Sequence, residues 1–188
     1  MSCFVDVVRP NRRPFAWASD LITIFGGSLL MALLAQISIP LGFTPVPLTL
    51  QTLGVLLIGG VLGSKKGVAA VLAYLGQGAL GLPFFAGGGS GLTSLMGPRG
   101  GYFLGFTIAA LVVGFLLERG AKEKFSYTIA TMSVGAFCIL FFGAFWLSFF
   151  VGGVSMAITL GVMPFLLGEC IKVVIAATLI PIGWKLIH

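Results

Sequence analysis

The chain has 188 residues, 58% of them hydrophobic and 9% charged, with a formal net charge of +6. A typical soluble domain carries about 25% charged residues, so a solvated globule is excluded: too little polar side chain exists to cover its surface. The mean hydropathy of +1.12 describes an integral membrane protein, and 28 glycines, roughly twice the usual share, let membrane helices approach closely.

Residues 1–20 form a short, basic, proline-broken leader with Arg9, Arg12 and Arg13. Residues 21–188 read as a single membrane domain. Its first span is the uncharged run 21–39, long enough to cross a hydrocarbon core of about 30 Å. Pro40 ends it, and 40–47, with Pro40, Pro45 and Pro47, is a loop. The runs 48–62 and 68–82 are two shorter spans, separated by Gly63-Ser-Lys-Lys-Gly67. Residues 83–101 are rich in glycine yet too apolar for a solvated linker, and are expected to pack as a lid over a cavity. Spans four to six are 102–117, 127–151 and about 158–182, the last limited by Pro164 and Pro181. The expected architecture is an all-α membrane protein with six transmembrane helices and its termini on the same side.

On that layout most of the basic residues fall on one side: Arg9, Arg12, Arg13, Lys65, Lys66, Arg119, Lys122, Lys124 and Lys185. Cytoplasmic loops carry the excess of Lys and Arg, so both termini are expected to be cytoplasmic, and the positive charge requires no nucleic acid. Three charges remain. Arg99 lies in the lid, and Glu169 and Lys172 sit near the outer end of the last span. A charge inside a membrane segment costs several kcal/mol unless partners or water satisfy it, and marks a functional site by default.

Glu169 and Lys172 are spaced i, i+3 and share one helix face. A carboxylate accepts N–H bonds and an ammonium donates them, so together they match a neutral amide or urea. Arg99 has the planar fork suited to a carboxylate. Phe43, Phe84, Phe85, Tyr102 and Trp146 are candidates to wall an apolar middle, with Gln51 and Ser90 as further candidate contacts. The ligand so described is a small acid with a polar head, an apolar body and a carboxylate tail. His188 is the sole histidine and no Asp follows residue 20, so no metal, cofactor or catalytic constellation is read and the chain is not expected to be an enzyme.

Several stretches resemble one known family: Ala35-Gln-Ile-Ser-Ile-Pro40, Phe43-Thr-Pro-Val-Pro-Leu-Thr-Leu-Gln-Thr-Leu53, Gly81-Leu-Pro-Phe-Phe-Ala-Gly-Gly-Gly89, Gly97-Pro-Arg-Gly-Gly-Tyr102 with Gly105-Phe106, and Pro164-Phe-Leu-Leu-Gly-Glu-Cys-Ile-Lys172. They look like the BioY family, the biotin-specific substrate-binding (S) components of energy-coupling-factor transporters. The resemblance implies capture of biotin from outside by a six-helix fold in the cell membrane. It also implies docking on a coupling transmembrane subunit with two cytoplasmic ATPase subunits. Two positions depart from the family's pattern, which usually has Asp in place of Glu169 and a small residue in place of Arg99.

Ser28 and Ala32, spaced i, i+4 in the first span, form a small-residue face that lets helices meet closely in lipid. The resemblance points to such a face as the contact with the coupling subunit. Two other readings fit the same residues. One is an S component for another small carboxylated vitamin; the other is a proton-coupled carrier working alone, with Glu169 as its relay.

Overall fold

The computed structural model describes residues 16–120 and 124–185. The leader charges, Lys122 and His188 lie outside the described residues. Helix α1 is Ala16–Gln36. A two-stranded ladder follows, β1 (Ser38–Ile39) antiparallel to β2 (Leu48–Thr49), with Ser38 opposite Thr49. Helix α2 is Gln51–Ala79, α3 the short Leu92–Met96, α4 Gly100–Arg119 and α5 Phe125–Leu147. The last apolar stretch is two helices, α6 (Val154–Gly161) and α7 (Leu166–Lys185). Helix α2 packs against α1 and α4, α5 against α4, and α7 against α2 and α5.

Among the described residues, five helical stretches are long and apolar enough to cross a membrane. One of them, α2, is a folded pair. At Gly63 the backbone leaves the helix, with φ 76° and ψ −178°, a region that residues with a Cβ essentially do not occupy. The arms 51–62 and 64–79 run back along each other. Gln51 Nε2 donates to Tyr74 Oη at 2.5 Å, a contact that a straight helix would spread over about 35 Å. The turn is clamped from α4: Glu118 accepts the Ser64 backbone N–H at 2.7 Å and both its oxygens contact the Ser64 hydroxyl. Gly114 makes that approach feasible, because a Cβ there would stand 2.4 Å from the Ser64 nitrogen.

The spans read from sequence shift at their ends for identifiable reasons. The first begins earlier and stops at Gln36, because the residue before Pro40 is biased to extended backbone and Ser38–Ile39 pairs with Leu48–Thr49. The last is interrupted at Met163–Phe165, a 3₁₀ turn with Pro164 at its start; proline supplies no N–H to continue α6.

The small-residue stripe of α1, expected as a docking face, faces inward in this chain. Ser28 and Ala32 are both buried in the bundle, and the Ser28 hydroxyl donates to Gln77 Oε1 on the second arm of α2. A stripe of small residues marks a close approach, and here the approaching helix belongs to the same chain.

The two ends of the bundle differ in chemistry. At the Gly63 end, Asp20 pairs with Lys66 at 3.1 Å and Arg119 lies 3.9 Å over the Phe115 ring. Gln51 and Thr52, at the start of α2, stand one helical arm away, about 18 Å. Gly63→Ala forces a strained conformation and should cost about 1–3 kcal/mol. Gly26→Ala should cost nothing, since an added Cβ there meets nothing within 4 Å. Denaturation midpoints in detergent compare the two.

Candidate functional site

Pro164 makes α7 start afresh at Leu166, so Glu169 falls in its first turn. The N-terminus of a helix favours negative charge, which offsets part of the cost of burying this carboxylate. Lys172, one turn on, donates to Glu169 Oε1 at 2.7 Å, and both side chains are buried. The pair is not self-contained. Thr52, from the first arm of α2, donates its hydroxyl to Glu169 Oε1 at 2.9 Å and accepts from Lys172 Nζ at 2.9 Å. Glu169 Oε2 is also buried, and has no hydrogen-bond partner among the described residues. A buried acceptor of that kind is rare in native structures and calls for an explanation.

A cavity opens against this triad. Gln51, Thr52, Arg99, Tyr102, Glu169 and Lys172 line it together with the apolar Phe103, Phe106, Ile139 and Phe165. Four helices therefore contribute besides Thr49 of β2 and the loops: α2, α4, α5 and α7 with the turn before it. Arg99 is the residue preceding α4 and gives one N–H to Ala86 O at 3.4 Å. The Tyr102 hydroxyl is committed to Gly161 O at 2.6 Å, which leaves its ring as the cavity-facing part. Gln51 is held between Tyr74 and Thr49, whose hydroxyl reaches Gln51 Oε1 at 3.2 Å.

Of the residues expected from sequence, Glu169, Lys172, Arg99, Tyr102 and Gln51 meet at this cavity. Five others do not line it, among them Phe84, which offers its carbonyl to the Tyr74 hydroxyl at 3.3 Å. Phe85 is fully buried one layer behind, its ring 4.9 Å from Phe103 and 5.6 Å from Tyr74. Phe43 is 62% exposed in the loop between the strands. Trp146 donates its indole N–H to Gly97 O at 3.0 Å, pinning the turn before α4. Ser90 offers its carbonyl to the Ser94 hydroxyl at 2.9 Å. Thr52 was not singled out by sequence; the signal available was a second polar residue beside Gln51 at the head of an apolar run.

The family model for the BioY family matches residues 9–188. The chain belongs to the BioY family. "Biotin transporter BioY" of Thermotoga maritima is 46% identical over 143 residues, covering 76% of this chain and 82% of that protein. "Probable biotin transporter BioY" of Pyrococcus horikoshii is 43% identical over 152 residues, 81% and 86% of the two chains. "Biotin transporter BioY" of Rhizobium etli is 35% identical over 176 residues, 88% and 94%. The crystal structure of the S-component for biotin from an ECF-type ABC transporter superposes with a TM-score of 0.82 at 29% identity, over 93% of this chain and 95% of that one. The all-helical BioY architecture and the apolar helices make the chain a multi-pass membrane protein.

Removing the Thr52 hydroxyl leaves two buried charged groups each short of a partner. Thr52→Val should therefore destabilise the protein by about 1–3 kcal/mol, and Thr52→Ser, which keeps the hydroxyl, should stay closer to wild type. Chemical denaturation of the detergent-solubilised variants measures both.

Proposed function

We propose that this chain captures biotin in the cavity between Glu169, Lys172 and Arg99 and serves biotin uptake as the substrate-binding component of an energy-coupling-factor transporter. The observation that carries this reading is Glu169 Oε2, a buried carboxylate oxygen with no hydrogen-bond partner among the described residues. It sits beside an ammonium that gives two of its three N–H donors to Thr52 and Glu169. A ureido group offers N–H and C=O side by side, which suits that acceptor and the remaining donor together. The fused ring then lies against Phe103, Phe106, Ile139 and Phe165, and the tail carboxylate meets the Arg99 guanidinium.

Similarity to proteins named as biotin transporters and to the structure of an S-component for biotin supports the choice of ligand. The family comprises transporters, so the chain is not an enzyme. A coupling transmembrane subunit and two ATPases would supply the energy. Counting the two arms of α2 as short crossings gives six crossings, with both termini on the cytoplasmic side. The charged Gly63 end, with Lys66 and Arg119, supports that orientation through the basic excess of cytoplasmic loops.

Glu169→Gln and Lys172→Met should each weaken biotin binding by about 1.5–3 kcal/mol, about tenfold or more in Kd, in equilibrium titrations of the purified protein. Wild-type affinity in both variants contradicts the reading. Arg99→Ala should narrow the ratio of affinities for biotin and its primary amide, because the cation that distinguishes them is gone. An unchanged ratio removes Arg99 from the carboxylate.

A further inference from the structure

A second cavity, of about 410 Å³, adjoins the first. Pro47, Ala86 and Arg99 line both, so Arg99 stands at the wall the two share. The remaining lining comes from the strand and proline loop of 38–47, including Ser38, Thr44 and Pro45, and from Gly87. These are the loops at the end of the bundle far from the Gly63 turn, and Phe43, Pro45 and Gly87 are exposed there. The two chambers differ in character. The inner one is walled by aromatic and aliphatic side chains around a buried charged triad. The outer one mixes hydroxyls with proline rings and falls within the size range of small-molecule sites.

We propose that the outer chamber is a subsite for a group joined to the tail of the ligand, so that the protein takes amino-acid-sized amide conjugates of biotin as well as the free vitamin. The inference rests on the placement of biotin proposed above. With the head on Glu169 and Lys172, the tail ends at Arg99, and whatever is attached to the tail has to pass that residue. Arg99 gives one N–H to a backbone carbonyl at 3.4 Å, a long bond that leaves the guanidinium free to turn aside or to donate to the amide carbonyl in place of the carboxylate. Beyond it the chain of the conjugate enters a space already open to its own polar groups. Tolerance is thus asymmetric: changes at the ureido head meet a buried, filled triad, while extensions at the tail meet room.

The test compares three ligands on the purified protein: biotin, its primary amide, and biotin amide-linked to the side-chain amine of lysine. The amide and the lysine conjugate both lack the tail carboxylate, so the difference between them isolates the outer chamber. The lysine conjugate should bind no more weakly than the primary amide. Ser38→Trp, which fills the chamber from the edge of the ladder, should weaken the conjugate by about tenfold or more and leave biotin and the primary amide unchanged. Retained biotin binding certifies that the variant is folded; if it is lost, Pro45→Trp, in the exposed loop, makes the same comparison. A wild-type protein that binds the conjugate about tenfold or more weakly than the primary amide, or a filled chamber that does not separate the two, overturns the inference. A wild-type protein that does not bind biotin at all refutes instead the reading on which it rests.

Discussion

The buried ion pair between Glu169 and Lys172 is the constraint on which the rest of the structure depends. Taking two charges out of water costs several kcal/mol per ion even after relaxation, and a membrane segment offers little water in return. Three features offset that cost: the 2.7 Å contact between the two groups, the first-turn position of Glu169 on α7, and the Thr52 hydroxyl that serves both charges. The last two come from different local events in the chain. Pro164 resets the helix so that Glu169 lies near an N-terminus, and the fold-back at Gly63 brings the first arm of α2 alongside α4 and α7. A chain without either break would place the same residues in the wrong register.

Satisfaction of the pair is incomplete in a directed way. Oε1 of Glu169 receives two donors, while Oε2 receives none from the described residues. Thr52 and Lys172 together fix the carboxylate so that one oxygen is used structurally and the other is left without a partner among the described residues. A binding site whose donors and acceptors are held by the fold loses little freedom when a ligand arrives, which favours affinity. The Gly63 turn at the opposite end carries its own clamps, Glu118 on Ser64 and Asp20 on Lys66, so the helical arm between the two ends is fixed at both.

Much of this was legible in the sequence because charges are conspicuous in an apolar chain. The membrane class followed from composition, and Glu169, Lys172 and Arg99 stood out as the charges that a sidedness count left over. The two arms of α2 were visible as short apolar runs around Gly63. What stayed hidden has a common cause. Phe103, Phe106, Ile139 and Phe165 are apolar residues among apolar residues, so nothing local separates a cavity wall from a lipid-facing position. Thr52 meets a partner 117 residues away, a distance that no helical spacing encodes. The aromatic side chains were hard to place for the same reason: Trp146 pins a turn, Phe85 fills the core and Phe43 lies exposed, and an aromatic ring suits all three. Ser28 and Ala32 announced a close helix contact correctly but could not say that the partner was α2 of the same chain.

The central claim is that Glu169 Oε2 receives an N–H from the ureido head of biotin, and the most direct measurement changes the ligand and leaves the protein untouched. Equilibrium titration of the purified wild-type protein with biotin and with biotin methylated at its ureido nitrogens compares a head that can donate with one that cannot. The account predicts saturable binding of biotin and a loss of about tenfold or more for the methylated head, since a buried charged acceptor then stays unpaired. Equal affinity for the two ligands would contradict it.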